Sequence, residues 1–175
     1  MAASISRSVF RSSFREGTNS VNTPVSPIPS GYHSVTPYLL IKGASEAIEF
    51  YQRAFGAEEV LRLQDPEGRI SHGEIRIGNS HVMLADEHPE MDFLGPQTRG
   101  GTTVSLLIYV PNVDEVFAAA IEAGGTELRP LCDQFYGDRS GTLTDPWGHV
   151  WTVATHVEDL SPEEITQRFQ DFFGD

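Results

Sequence analysis

Two stretches of the 175-residue chain follow one plan about 68 residues apart, and this repeat limits the fold more than any other feature. The first copy runs YLLIKGASEAIEFYQRAFGAEEV, from Tyr38 to Val60. The second runs SLLIYVPNVDEVFAAAIEAGGTEL, from Ser105 to Leu128. Each is an apolar run, an amphipathic stretch, a glycine and a second strand-like run. Gly56 and Gly125 lie 69 apart (125 − 56). His81 and His149, which open HVMLA and HVWTV, lie 68 apart (149 − 81). A solenoid needs three or more copies, so a duplicated unit of this length predicts two paired modules.

Each copy reads as β-α-β-β-β. Val35–Lys42 is the expected first strand. Ala44, Ala47, Ile48, Tyr51 and Phe55 fall at helical spacing, and Gly56 ends that helix. A strand over about Glu58–Gln64 leads through the turn Asp65-Pro66-Glu67-Gly68 into Arg69–Ile77. There Ile75 and Ile77 face one way, and His72, Glu74 and Arg76 the other. Gly78-Asn79 turns the chain into a strand over His81–Asp86. Glu87–Gly101, with two prolines and three glycines, is the expected linker.

The second copy predicts strands over Thr103–Val110, Glu127–Cys132, Gly141–Thr144 and His149–Thr155. Its helix is capped by Asn112 and runs to Ala123. Ser161-Pro162-Glu163-Glu164 is a capping box with Pro at N1. Ile165, Phe169, Phe172 and Phe173 then form an apolar helical stripe. The predicted fold class is α+β. Two tandem βαβββ modules, 35–92 and 102–155, make one domain over 33–156, and 157–175 adds a C-terminal helix.

The stretches TPYLLIKGASEAIEFYQRAFGAEE, HGEIRIGNSHVMLADE and YGDRSGTLTDPWGHVWTVATHVEDLSPEE resemble the vicinal oxygen chelate superfamily. That superfamily includes glyoxalase I, extradiol dioxygenases, and the bleomycin and fosfomycin resistance proteins; the nearest resemblance is to its PhnB-like branch. It covers about Val35 to Thr155. It implies that each module curls its strands into a half-barrel with the helix on the convex face. Paired half-barrels would enclose a cavity, and chains would form a homodimer, often by swapping modules.

Metal-dependent relatives place a His early in each module and a carboxylate or related ligand in its last strand. By this resemblance the positions here are Thr36, Leu84, Ser105 and Thr152. Transition metals need imidazole, thiolate or carboxylate donors, so the expectation is no metal and no cofactor. His72 and Glu74 share one strand face and could supply part of an open metal site, but two donors are too few. Their alternative role is polar lining of a cavity or an ordinary pair on the sheet surface. His81 and His149 are expected to be equivalent residues closing strand ends.

Strand parity turns Tyr38, His72, Glu74 and Tyr109 inward, with Tyr136 in a nearby loop, as candidate contacts for a small organic ligand. Three functions remain open. One is a metal-independent binding protein of the bleomycin-resistance-like kind. Another is a lyase or isomerase of the glyoxalase/PhnB-like group, with His72 and Glu74 as acid and base and Tyr136, Asp138 and Arg139 as substrate contacts. Asp138 and Arg139 could instead pair with each other or with backbone. The third is a structural dimer module with a vestigial cavity. No Ser or Cys sits in a recognisable nucleophile setting.

Bulk properties narrow the partners. Twelve Lys and Arg against 25 Asp and Glu give a net charge of −13, which argues against nucleic acid and anionic membranes. No apolar run approaches the ~20 residues that span a bilayer. The single cysteine, Cys132, rules out a disulfide within the chain and fits a reducing compartment such as the cytoplasm. Residues 1–32 read as a Ser-, Arg- and Pro-rich extension. Arg7, Arg11 and Arg15 at i, i+4, i+8 resemble an organellar transit peptide, which would place the protein in an organelle matrix. The alternatives are a disordered tail or a start codon set too far upstream. Asn22–Ser30, with three prolines, is the expected linker into the domain.

Overall fold

The computed structural model describes residues 25–174, so the Arg7, Arg11 and Arg15 face lies outside the described residues, as does the side chain of Phe173. The first module comprises β1 (Tyr38–Ile41), α1 (Ala44–Phe55), β2 (Glu58–Gln64), β3 (Ile70–Ile77) and β4 (Ser80–Asp86). The linker forms a 3-10 turn, Pro89–Met91, and a short helix α2 (Pro96–Arg99). The second module comprises β5 (Ser105–Tyr109), α3 (Val113–Glu122), β6 (Thr126–Asp133), β7 (Asp138–Thr144) and β8 (Val150–His156). Helix α4 (Pro162–Phe173) follows.

The two sheets have identical topology, β1-β4-β3-β2 and β5-β8-β7-β6. β1 pairs with β4, and β5 with β8, in parallel; the other pairs are antiparallel. A parallel pair needs a long crossover, and in each module a helix and two strands supply it. This is the α+β pair of βαβββ modules with a C-terminal helix.

The modules also start their helices alike. Gly43, at φ 95°, offers no capping side chain to α1. Asp86 Oδ1 instead accepts from Gly43 N (2.9 Å) and Ala44 N (3.0 Å). In the second module Thr155 Oγ1 accepts from Val113 N at 2.9 Å. Each exchange satisfies a helix N–H that would otherwise lack a partner. The capping residues lie 69 apart (155 − 86), as do the first helical residues (113 − 44), which fixes the equivalence of the modules. Under this alignment His81 corresponds to Val150, and His149 to Ser80. The two histidines expected to be equivalent are therefore one position out of step and face opposite ways.

The core lies between the helices and one face of each sheet. Leu39, Ile41, Ile75, Leu84, Leu143, Trp151 and Val153 point into it. Burying each such side chain contributes about 1.5–3 kcal/mol relative to leaving it exposed. Helices α1 and α3 pack together, and aromatic rings join the modules. Trp151 lies 4.9 Å from Phe55 and 5.3 Å from Tyr51, centroid to centroid, and Trp147 lies 5.8 Å from Phe50.

Two strand starts differ from expectation for a physical reason. β1 starts later, because Pro37 has no N–H to donate, although its carbonyl accepts from Met83 N at 2.9 Å. β7 starts three residues earlier than Gly141, because Asp138 pairs with His156 at the end of β8, which runs one residue further than Thr155. The capping box of α4 forms between Ser161 and Glu164. The apolar stripe of this helix packs partly within its own chain, with Phe169 and Phe172 set 5.6 and 6.0 Å from the Phe135 ring. Among the described residues no helix is long and apolar enough to cross a membrane.

Candidate functional site

Strand alternation gives each sheet a helix-covered face and an open face. In the first module the register sets Tyr38 beside Met83, Met83 beside Glu74, and Glu74 beside Leu61, a row across all four strands on the open face. The adjacent row sets Leu40 beside Ala85 and His72 beside Leu63. Tyr38 and Leu63 are each about half exposed.

Polar groups in these rows touch. The Tyr38 hydroxyl lies 3.1 Å from His72 Nδ1, and His72 Nε2 lies 3.0 Å from Glu74 Oε1. If Tyr38 donates to Nδ1, the neutral imidazole keeps its proton on Nε2 and donates to Glu74, so one donor direction runs from phenol to carboxylate. Glu74 is only 9% exposed. The Tyr32 hydroxyl, then His72, holds its carboxyl below the ordinary range against the opposing effect of burial. Burial pushes the Tyr38 phenol up.

Tyr32, within the stretch expected as an extension, completes this cluster. Its hydroxyl donates to Glu74 Oε2. Its ring lies on the imidazole of His81, with centroids 4.1 Å apart and planes 21° from parallel. His81 Nδ1 is buried with no hydrogen-bond partner among the described residues, 3.9 Å from Glu74 Oε2.

The second module carries similar chemistry at different positions. Thr152 stands opposite Thr142 as Met83 stands opposite Glu74, and the two threonine hydroxyls are 3.0 Å apart. Thr142 thus replaces Glu74, and Ser140 replaces His72. Further along the strands, Asp138 is buried and accepts from the Tyr109 hydroxyl at 2.8 Å. Its other oxygen lies 2.8 Å from His156 Nδ1, and His156 Nε2 lies 3.1 Å from Asp159. Asp138 and Asp159 raise the His156 pKa, and the bond to Asp138 raises that of Tyr109. Asp138 and Arg139 do not pair with each other. They lie on opposite sides of β7, and Arg139 reaches Asp114 at 2.7 Å and Asp133 at 3.1 Å.

The cavities divide the candidate residues. Glu74 and Met83 border a recess of about 490 Å3 with Tyr32 and Pro29. Tyr38 borders a cleft of about 360 Å3 between the modules, with Leu106 and His149. Tyr109 lines a cavity of about 580 Å3 with His81 and Trp151. Tyr136 lines a recess of about 450 Å3 with Leu107, Thr142 and Thr152. Within one chain, then, Tyr109 is set apart from His72 and Glu74.

The residues at the family's metal positions do not suit a transition metal. Leu84, which the resemblance sets at a metal position, is fully buried on the helix side. The residue on the open face of β4 is Met83, paired with Tyr38 and Glu74. Met83, Thr36, Ser105 and Thr152 form a neutral set without imidazole, thiolate or carboxylate. Among the described residues no three His, Cys, Asp or Glu side chains converge to hold an ion.

Sequence reasoning missed Tyr32, His81 and His156. A signal existed for His156, which lies two residues beyond inward-facing Ala154 and so shares its face. None existed for Tyr32, whose position depends on a turn outside any strand.

The model of the Glyoxalase/Bleomycin resistance protein/Dioxygenase superfamily matches residues 33–153. An uncharacterised protein of Mycobacterium tuberculosis (strain H37Rv) is 38% identical over 135 residues, 75% of this chain and 79% of that protein. Among solved structures, TioX from Micromonospora sp. ML1 superposes with a TM-score of 0.56 at 25% identity, covering 74% of this chain and 100% of TioX. The PhnB protein from Bacillus cereus, a putative 3-demethylubiquinone-9 3-methyltransferase, superposes with a TM-score of 0.55 at 23% identity. That match covers 70% of this chain and 99% of the Bacillus protein.

Proposed function

Because the chain belongs to the Glyoxalase/Bleomycin resistance protein/Dioxygenase superfamily, we propose that it binds a small organic ligand on the open sheet faces without a transition metal. The observation that carries this reading is the Tyr38–His72–Glu74 cluster, in which the Tyr38 hydroxyl meets His72 and His72 meets a nearly buried carboxylate. Around it Leu61, Leu63 and Tyr38 leave apolar surface exposed. A few convergent polar groups amid apolar walls are what a small-molecule site requires. The second module adds Leu107, Tyr109 and Leu128, all at least half exposed.

Exposed apolar sheet faces on both modules also favour a homodimer. A second copy would cover them and close each half-barrel into a cavity. Tyr109 and Tyr136 could then meet the first-module cluster of the other copy.

A specific observation favours a second reading, a lyase or isomerase. The Tyr38–His72–Glu74 chain can move a proton, and Glu74, held below the ordinary carboxyl range, stays ionised as a base near neutral pH.

A thermal-shift screen of metabolites and glycopeptide drugs tests the first reading. A confirmed ligand should lose affinity in Tyr38→Ala and Leu63→Ala. Unchanged affinity in both variants overturns this placement. Turnover of a confirmed ligand by the wild type, lost in His72→Ala, selects the second reading.

A further inference from the structure

Tyr32 reaches the first-module cluster on a short strap. The Tyr32 N–H donates to the Pro29 carbonyl at 3.1 Å, and Gly31 has φ +85°, as in a type II turn. Among the described residues this is the only backbone hydrogen bond made by residues 25–36. Side chains, rather than a ladder, hold the strap on the sheet.

Glu74 explains the side-chain contact. Its Oε1 is taken by His72, leaving Oε2 for one further donor. A nearly buried carboxylate oxygen without a donor is costly. The Tyr32 phenol fills that place, and its ring lies flat on His81. His81 Nδ1, buried and unpaired beside the same oxygen, leaves the polar end of the site only partly satisfied. Tyr32 itself is not fully enclosed, and the recess of about 490 Å3 beside it is bounded by the strap residues Pro27 and Pro29. Lifting the strap would open that recess into the face occupied by Tyr32.

We propose that Tyr32 is a tethered stand-in for the ligand: the first-module site takes a phenol-bearing aromatic molecule that stacks on His81, donates its hydroxyl to Glu74 and displaces the strap. The inference rests on the ligand-binding reading above and names the ligand class. A carboxylate-bearing ring would meet Glu74 and a chain of net charge −13, so the hydroxyl arrives neutral. The strap competes with the ligand from within the chain and lowers its apparent affinity in proportion to the closed fraction.

The test uses the full chain and p-cresol, the tyrosine side chain as a free molecule. Binding is followed through the imidazole NMR signals of His72 and His81. Tyr32→Ala should bind p-cresol ~10-fold tighter than the wild type, corresponding to a strap closed about nine-tenths of the time. Tyr32→Phe, which keeps the ring and loses the donor, should fall between them. 4-Methylanisole, which has no O–H to give, should bind Tyr32→Ala clearly more weakly than p-cresol, and Glu74→Gln should narrow that difference. Equal p-cresol affinity in the wild type and both Tyr32 variants overturns the proposal, as does equal binding of the two probes. A screened ligand that perturbs His72 and His81 but is not displaced by p-cresol overturns the phenol assignment and leaves small-molecule binding standing. If neither p-cresol nor any screened ligand perturbs either imidazole, both readings fall.

Discussion

The Tyr51 hydroxyl donates to the Asp145 carboxylate across 2.7 Å, tying α1 of the first module to the turn before β8 of the second. The same oxygen accepts from Trp151 Nε1 at 3.0 Å, and the other accepts from Trp147 N and His149 N. Four donors thus converge on one buried carboxylate at the module junction. Hydrogen bonds to charged groups contribute about 1.5–3 kcal/mol each, so Tyr51→Phe should lower unfolding stability by about that amount. Burial, then Asp145, raises the Tyr51 pKa well above 10.0. A raised folded value stabilises below the unfolded pKa and is lost as pH rises through the folded one. The wild type should therefore lose stability above about pH 10, and Tyr51→Phe should lose less over that window, as urea unfolding at several pH values would measure.

His156 gives a pH prediction in the second module. The neighbouring carboxylates of Asp138 and Asp159 raise its pKa above 6.5, and the Tyr109 hydroxyl is bonded to the same Asp138. The stabilisation is fully present below about pH 6.5 and is lost as pH rises through the folded value. An NMR titration should place His156 above an unperturbed histidine. Asp138→Asn should remove most of the upward shift, and a titration curve unmoved by that change would separate His156 from Asp138.

Much of the fold was legible because two periodicities agree with the repeat. Helical spacing from Ala44 to Phe55 and strand alternation over β3 are local properties, and burial follows them directly. The exact phase of the modules was less legible. The histidine pair suggested 68 residues, whereas helix capping by Asp86 and Thr155 sets 69. One residue of phase moves every side chain to the other sheet face, which is why Leu84 was expected where Met83 stands. In the site, Tyr38, His72 and Glu74 could be grouped by parity alone. Tyr32 could not, because its place depends on a turn at Gly31 and a bond spanning 42 residues.

The oligomer prediction follows from the open faces. Leu63, Leu107 and Tyr109 are each at least half exposed on sheet surfaces that a second copy could cover. Light scattering at micromolar concentration should report about twice the 19.3 kDa of one chain. Leu107→Glu should shift the population toward monomer, since an unpaired charge in a closed interface is costly.

The neutral set Thr36, Met83, Ser105 and Thr152 predicts that extensively dialysed protein carries no stoichiometric zinc, nickel, iron or manganese. Elemental analysis by mass spectrometry measures this directly. Close to one equivalent of such an ion would contradict it and direct attention to His72 and Glu74, the His–carboxylate pair on the open face of the first module.

His72 offers the sharpest separation of binding from catalysis. It accepts from or donates to Tyr38 and lies 3.0 Å from Glu74, so His72→Ala leaves both neighbours short of a partner. His72→Gln keeps an amide near each and should preserve most of the fold. For a binding protein, His72→Gln should change the affinity of a confirmed ligand modestly, and His72→Ala should change it more. For a lyase or isomerase, glutamine cannot exchange a proton near neutral pH. Both variants should then lose about 10²–10⁴-fold in turnover while His72→Gln still binds. Parallel affinity and turnover measurements on the two variants therefore assign the role of the Tyr38–His72–Glu74 chain. Loss of turnover with retained binding marks proton transfer, and graded loss of binding without turnover marks a ligand contact.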